Sequence, residues 1–174
     1  MAVIYLKDTK SAMGTELIFC DVDGQISFET RLTEFIAPMD CCAGTVHLPD
    51  KYKIFATNGT AVTEVVRVKS KMMPTFEARE LGTDSLLATV RKKFSFIKLP
   101  IEMTTPTGVC QIEGNVFKRN FQVRDTLGEL IFTTQNEQLA WGKAVMIKFD
   151  DNVFSAHVIA TMMLAIESAY YTGN

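Results

Sequence analysis

The sequence predicts a mainly β fold, a closed antiparallel barrel of about twelve strands that is threaded by one hydrophobic C-terminal helix. Short runs in which apolar and polar residues alternate recur along most of the 174 residues, separated by tight turns, and this pattern is typical of antiparallel sheets. Residues 153–166, in contrast, contain no Asp, Glu, Lys or Arg. A helix this apolar has to be buried on almost every side, and a closed sheet around it also removes exposed strand edges.

The strands follow from the alternation of residue types and from the turns between them. They are predicted at 3–6, 16–20, 26–30, 45–48, 52–55, 62–68, 75–79, 86–91, 94–98, 100–104, 108–113, 120–124, 129–134 and 144–149. The segment 31–50 is the least regular part, because it contains two prolines, a glycine and a Cys-Cys pair.

Three copies of a strand, a glycine-bearing turn and a second strand form a weak internal repeat centred on Gly24, Gly59 and Gly128. Two of these turns, 21–24 and 125–128, also begin with Asp, which could suggest Ca²⁺ binding. They lack the series of ligands that a calcium loop requires, so turn formation is the favoured interpretation.

The helix is predicted to be a buried core element. Asp150-Asp151-Asn152 precede it and are expected to cap its free backbone N–H groups and to oppose the positive end of its dipole. The uncharged run is shorter than the ~20 residues that a bilayer-spanning helix requires, so a core helix is favoured over a tail anchor. His157, Thr161 and Ser168 fall in one narrow band, and His157 is interpreted as a neutral, hydrogen-bonded core group.

Composition indicates one globular domain covering residues 1–174. The chain is 47% hydrophobic and 22% charged, which is ordinary for a folded domain of this length. A formal net charge of −2 argues against nucleic-acid binding through bulk electrostatics. The N-terminus lacks an apolar signal sequence, so a cytoplasmic protein is predicted, with peripheral association to a membrane as a hypothesis.

Cysteine and histidine residues form no recognisable catalytic or metal-binding motif. The four cysteines are Cys20, Cys41, Cys42 and Cys110, and none is part of a CxxC motif. The adjacent pair Cys41-Cys42 could form a strained disulfide, but reduced, partly buried thiols are favoured. The sequence therefore predicts no catalytic residue, no metal site and no cofactor.

Several short motifs, in order over about two thirds of the chain, resemble the LURP-one-related family. Residues 88–96 (ATVRKKFSF) are similar to a family segment of ATVKKKxFSF type, and Ile112-Glu113-Gly114 is similar to its VEG strand. Residues 121–128 (FQVRDTLG) resemble its F-x-V-x-D-x-x-G hairpin. The resemblance implies a fold like the Tubby C-terminal domain and the phospholipid scramblases, with no known enzyme activity, and suggests membrane tethering or phosphoinositide recognition by analogy.

Charge is concentrated between residues 65 and 98, which carry eight basic and three acidic residues, a local charge of +5. Residues 67, 69 and 71 alternate with uncharged neighbours and share one face of a strand, as do residues 91 and 93 on the next long strand. If the two faces adjoin, they form a shelf for anionic head groups. The candidate binding residues are therefore Arg67, Lys69, Lys71, Arg91 and Lys93. The alternative is a solvated barrel exterior on which these cations protect strand edges.

The leading functional hypothesis is a non-enzymatic binding or scaffold domain that recognises anionic phospholipid head groups, or an acidic protein, through this basic outer face of the sheet. The first alternative is a structural or protein-interaction domain that uses strand edges or the 31–50 segment. The second is an enzyme or scramblase-like lipid handler, for which His47, His157 and the Cys pair are weak support. Nucleic-acid binding is not expected, because no aromatic residues lie among the strand cations.

Overall fold

Twelve strands and one helix make up the regular structure of the computed structural model, which describes residues 1–11, 14–35, 49–68, 74–93 and 101–171. Their bounds are β1 Ala2–Ser11, β2 Gly14–Cys20, β3 Ile26–Phe35, β4 Pro49–Ala56, β5 Ala61–Val68, β6 Thr75–Glu80, β7 Ser85–Lys92, β8 Ile101–Thr105, β9 Gly108–Asn115, β10 Asn120–Arg124, β11 Leu130–Leu139, β12 Gly142–Phe149 and α1 Ala156–Tyr171.

The strands form one closed antiparallel barrel in which each strand pairs with its neighbours in sequence. Closure is made by β1 and β12, whose register runs from Ala2 opposite Phe149 to Leu6 opposite Val145. The predicted fold, a twelve-stranded antiparallel barrel with one C-terminal helix, is confirmed. The strands predicted at 45–48 and 94–98 lie outside the described residues.

The three glycine turns share one backbone geometry. Gly24, Gly59 and Gly128 have φ values of 80°, 79° and 85°, in the left-handed region that favours glycine. In two of these turns an aspartate fixes the loop: Asp21 Oδ1 accepts two backbone N–H groups at 2.9 Å, and Asp125 Oδ1 accepts two at 2.8 and 2.9 Å. This bonding accounts for the two aspartates as turn formers, which was the favoured interpretation.

Helix α1 lies inside the barrel and contacts β5, β6, β7 and β8. Its fully or almost fully buried apolar side chains meet the inward-facing residues of the strands in one core; they are Ile159, Ala160, Met162, Met163, Leu164, Ala165, Ile166 and Ala169. Within the described residues, no helix is both long and apolar enough to cross a membrane. Each large side chain buried in this way contributes about 1.5–3 kcal/mol, so the helix is a major part of the core.

The helix begins later than predicted, and the predicted cap is wrong. Asp150 closes a separate turn, since its carbonyl oxygen accepts the N–H groups of Val153 and Phe154 at 3.1 and 2.9 Å. Its carboxylate accepts the N–H of Asn152 at 3.0 Å. The first helical carbonyl bond instead runs from Ile159 N–H to the oxygen of Ser155, at 3.2 Å. The acidic residues 150 and 151 therefore precede the helix by a full turn and do not cap it.

Polar groups on the helix are matched by polar groups on the barrel wall. Thr161 Oγ1 donates to the carbonyl oxygen of His157 at 2.6 Å and lies 2.5 Å from Thr63 Oγ1 of β5. Both threonines are fully buried. A buried hydroxyl without a partner would lower the stability of the fold by about 1–3 kcal/mol. A rotation of the helix would separate the two hydroxyls, so this hydrogen bond fixes the orientation of the helix against β5.

A buried ion pair holds the C-terminal half of the helix. Arg119 lies in the β9–β10 turn with a left-handed φ of 50°, which is uncommon for a residue other than glycine. Its Nε and Nη2 donate to the two carboxylate oxygens of Glu167 at 3.0 and 2.8 Å, and its Nη1 donates to Asp8 Oδ2 at 2.8 Å. Burial acts to lower the pKa of Arg119, but the hydrogen bonds to Asp8 and Glu167 outweigh it and raise that pKa, so the guanidinium stays charged.

Removal of the helix is expected to abolish folding. A chain that ends at Asn152 would expose the apolar inner faces of the strands to water, so we expect an insoluble product. The control is a chain that ends at Tyr171, which keeps the whole of α1. Soluble yield and circular dichroism would measure the result, and a soluble, folded chain ending at Asn152 would contradict it.

Replacing Arg119 by Met is expected to destabilise the protein by about 3–5 kcal/mol near pH 8, because Glu167 is left buried without its partner. Burial raises the pKa of Glu167, so the folded state takes up this proton at a higher pH than the unfolded state does. The loss in the variant should therefore shrink as the pH falls towards 5. Urea unfolding at the two pH values measures it.

Two further variants separate this ion pair from ordinary surface charge. The double change Arg119→Met with Glu167→Leu should recover much of the lost stability, because no charge is then buried. The change Arg31→Met removes an exposed cation that pairs with Glu29 at 3.1 Å and should have little effect. A pH-independent loss for Arg119→Met would rule out an unpaired Glu167 as its cause.

Candidate anion-binding site

Three of the five predicted binding residues lie in the part of the chain that the structure describes. Arg67 is next to last in β5, Arg91 is next to last in β7, and Lys93 follows β7 directly. Lys69 and Lys71 fall outside the described residues.

Arg67 and Arg91 lie on opposite faces of the sheet. Arg67 is opposite Phe76 in the register, and Phe76 is opposite Val90; both neighbours are fully buried, so Arg67 belongs to the inward-facing set at the end of β5. Arg91 is opposite Thr75 on one side and Glu102 on the other, in the outward-facing set. The expected single shelf therefore does not form between these two residues, since paired residues of neighbouring strands share a face.

Arg91 and Lys93 converge on one carboxylate, which sequence reasoning missed. Arg91 Nη2 and Nε lie 2.6 and 2.8 Å from Glu102 Oε1, and Lys93 Nζ contacts Glu102 Oε2. Hydrogen bonds from Lys93 and Arg91 lower the pKa of Glu102, so the carboxylate stays ionised. The cation side chains are 54% and 47% exposed, whereas that of Glu102 is 17% exposed.

Glu102 could not be found from the charge count because it lies in β8, beyond the basic stretch. The register of β7 and β8 places it opposite Arg91. The sequence between Lys93 and Ile101 contains no glycine and no Asn-Gly or Asp-Gly pair, so no turn motif predicts which residues face each other.

Two other cations of the basic stretch do not add to an outer site. Arg79 pairs with Glu77 at 2.8 Å and with Asp84 at 3.4 Å. Lys92 is opposite Ile101, which is buried, so it shares the inward-facing set with Arg67. Among the described residues of the basic stretch, the cations that remain on the outer face are Arg91 and Lys93, whose two positive charges face the one negative charge of Glu102.

The histidine that could support an enzyme does not have the arrangement of a catalytic triad. His157 is half-buried at the start of α1, and its Nε2 lies 3.3 Å from Ser155 Oγ and 3.4 Å from Glu80 Oε1. Both partners contact the same ring nitrogen, whereas a triad uses one nitrogen for the nucleophile and the other for the acid. Hydrogen bonds from Thr83 and His157 lower the pKa of Glu80, so its carboxylate stays ionised.

The described thiols are poor nucleophiles. Cys20 and Cys110 are buried and free, and burial raises the pKa of both. Cys41, Cys42 and His47 lie outside the described residues. Among the residues that the structure describes, no group of three or more His, Cys, Asp or Glu side chains is placed to hold a metal ion.

Comparison with known proteins gives a family assignment. The model of the LURP-one-related family matches residues 5–166, which is most of the chain. This protein is a LURP-one-related protein. A solved X-ray structure of a protein from Arabidopsis thaliana has the same fold, with a TM-score of 0.60 at 13% identity over 97% of this chain and 91% of the plant protein. None of the curated proteins matches the chain in sequence.

Family and fold together suggest a non-catalytic binding domain. On a LURP-one-related barrel of this kind the lumen is occupied by α1, so a binding site has to lie on the outside or at an end. The outward cluster of Arg91, Lys93 and Glu102 lies on the outside and is the candidate for such a site.

The contacts of Glu102 can be tested directly. Replacing Lys93 by Gln, or Arg91 by Gln, should raise the pKa of Glu102, because each change removes a hydrogen bond and a positive charge that stabilise its carboxylate. Carbon NMR of the Glu102 carboxyl group during a pH titration measures the shift. The change Lys143→Gln on β12 is the control and should leave the pKa of Glu102 where it was.

Proposed function

We propose that this LURP-one-related domain binds the phosphate groups of anionic lipids at a membrane surface, through the outward cations Arg91 and Lys93. The observation that carries the proposal is that one carboxylate, Glu102, holds these two exposed cations side by side. Lys69 and Lys71, which follow β5 in the sequence, stay predicted contributors, whereas Arg67 is left out because it belongs to the inward-facing set.

The chemistry of the two cations suits a phosphate. An arginine guanidinium presents a planar fork of N–H donors that matches two phosphate oxygens, and a lysine ammonium supplies a compact charge beside it. Each cation near an acidic membrane contributes on the order of 1 kcal/mol, so a site of a few cations gives weak, peripheral and salt-sensitive attachment. Such a protein would associate reversibly with the cytoplasmic surface of a membrane.

Glu102 both positions the cations and competes with the ligand. Its carboxylate occupies donors that a phosphate would use, and it cancels one of the two positive charges. A phosphate with two negative charges could displace it because the cation side chains are about half exposed. Removal of the Glu102 charge should therefore increase the affinity for anionic lipids. If the cluster were purely structural, the same change would not increase that affinity.

Vesicle co-sedimentation tests the proposal. We expect the protein to pellet with vesicles of phosphatidylserine and phosphatidylinositol bisphosphate and not with phosphatidylcholine alone. Arg91→Glu with Lys93→Glu should weaken binding by roughly tenfold or more, and Glu102→Gln should strengthen it. The matched control, Lys118→Glu with Lys143→Glu, makes the same charge change on two exposed residues of the β9–β10 turn and of β12 and should weaken binding far less.

Two outcomes would reject the proposal. One is that wild type and Glu102→Gln fail to pellet with the anionic vesicles at low salt. The other is that the control pair weakens binding as much as the Arg91 and Lys93 pair does, because binding would then depend only on total charge.

A further inference from the structure

The barrel closes at one seam, which lies between β1 and β12. Every other pair of neighbouring strands is consecutive in the chain, so a connecting segment keeps its two strands together. The register of β1 and β12 has five residue pairs, from Ala2 opposite Phe149 to Leu6 opposite Val145. Hydrogen bonds and side-chain contacts therefore hold this seam without the help of a short connection along the chain.

The side chain of Trp141 crosses the seam on the outside of the barrel. Trp141 lies between β11 and β12, and its ring packs edge-to-face on Tyr5 of β1, with centroids 6.0 Å apart and an interplanar angle of 89°. Lys7 Nζ lies 5.4 Å from the centroid of the Trp141 ring. The indole Nε1 donates to the carbonyl oxygen of Val22 at 3.3 Å, and a Cβ atom at Gly24 would lie 2.9 Å from the ring. We call these contacts of Trp141 with β1 and with the turn after β2 the Trp141 clasp.

The clasp covers apolar side chains on the outer side of the seam. Tyr5 points outward, because it alternates with residues of the lumen core, and it packs with Ala144 and Met146 of β12. These three side chains are 5–6% exposed, and Trp141 packs against them. The seam strands therefore have packed side chains on both faces here, whereas the outer face of an antiparallel sheet commonly meets water.

Two ion pairs also link β1 to other parts of the barrel. The Met1 ammonium lies 3.2 Å from Asp151 Oδ1, just beyond the seam, and both groups are more than half exposed, so this pair contributes little. Asp8, beyond the other end of the seam register, accepts a hydrogen bond from Arg119 Nη1 at 2.8 Å. Of these three links, the clasp is the one that buries apolar side chains.

The position of the helix allows the seam to open by itself. Helix α1 contacts β5, β6, β7 and β8, and the ring order places these four strands on the wall opposite β1 and β12. Separation of β1 from β12 would therefore leave the helix packed against its own wall. Proteins commonly open in such contiguous units at a lower free energy than global unfolding requires.

We propose that the Trp141 clasp is a latch on a barrel that opens at the β1–β12 seam, while the other strand pairs and the packing of α1 on β5–β8 persist. The open state exposes the inner faces of β1 and β12 and the side of α1 that faces them, which the closed barrel keeps away from water. This device does not involve Arg91 or Lys93, so it does not depend on lipid binding.

Native-state hydrogen exchange of the full chain tests the latch. The seam amides of residues 2–6 and 145–149 are expected to exchange through an opening with a smaller urea dependence than that of the β6 and β7 amides. Trp141→Ala should raise the exchange rate of the seam amides about tenfold or more. Trp141→Phe keeps a ring but loses the hydrogen bond to Val22, so it should raise that rate by less.

The matched control is Phe117→Ala, which removes a different exposed aromatic side chain whose ring lies 6.2 Å from that of Tyr170. This contact lies away from the seam and persists when the seam opens, so the exchange rate of the seam amides should not change. An equal rise for Phe117→Ala and Trp141→Ala would overturn the proposal, because the clasp would then have no special effect on the seam.

Fluorescence gives a second measurement, because Trp141 is the single tryptophan of the chain. As urea rises, quenching of its emission by acrylamide should increase before the circular dichroism of the sheet is lost. This measurement and the exchange pattern of the wild type decide the question even where Trp141→Ala does not fold. The proposal is overturned if the seam amides and the β6 and β7 amides exchange with the same free energy and urea dependence, since the barrel would then open only by global unfolding.

Discussion

The need to keep a largely apolar helix away from water governs this structure. Helix α1 presents apolar side chains around most of its circumference, and the inward faces of the strands meet them in one core. Two of its buried polar side chains have partners outside the helix: Thr161 lies against Thr63 of β5, and Glu167 accepts hydrogen bonds from Arg119 of the β9–β10 turn. Without these partners, the cost of burying the hydroxyl and the carboxylate would offset much of the stability that burial of the apolar side chains contributes. The barrel can therefore tolerate a polar side chain inside only where a neighbouring residue forms a hydrogen bond or an ion pair with it.

Local chemistry made much of the fold predictable. The glycine turns, the alternating strands and the apolar helix each depend on residues close in sequence, and within the described residues the structure confirms them. The pairing of Arg119 with Glu167 joins residues 48 positions apart and could not be predicted from spacing. The face on which Arg67 lies could not be predicted either. Strand β5 has valine at both even and odd positions, and it buries Thr63 and Val65 on one face and Glu64 on the other. A period of two shows which residues share a face, but not which face is inside.

The same reasoning explains why the candidate site was only partly predicted. Arg91 and Lys93 do share an outward face, and that much follows from alternation. The position of their shared partner, Glu102, depends on the register between β7 and β8, and no turn motif in the sequence predicts that register. A charge count along the chain treats neighbours in sequence as neighbours in space. It therefore overestimates the net positive charge of a patch when the opposing carboxylate comes from the next strand. Arg79 is different, because its partners Glu77 and Asp84 lie within the basic stretch and are already part of its charge count.

A barrel that encloses its own helix limits what it can recognise. Many barrels of this width hold a ligand or water in the lumen, but here α1 occupies that space. A small molecule usually needs a concave pocket that covers most of its surface, and an outer sheet face offers little concavity. Charged head groups and protein segments, in contrast, are recognised by shallow arrangements of charge and by rigid projecting side chains. The paired cations Arg91 and Lys93 on the outer face of the sheet are a shallow arrangement of this kind, which a barrel with a filled lumen can present.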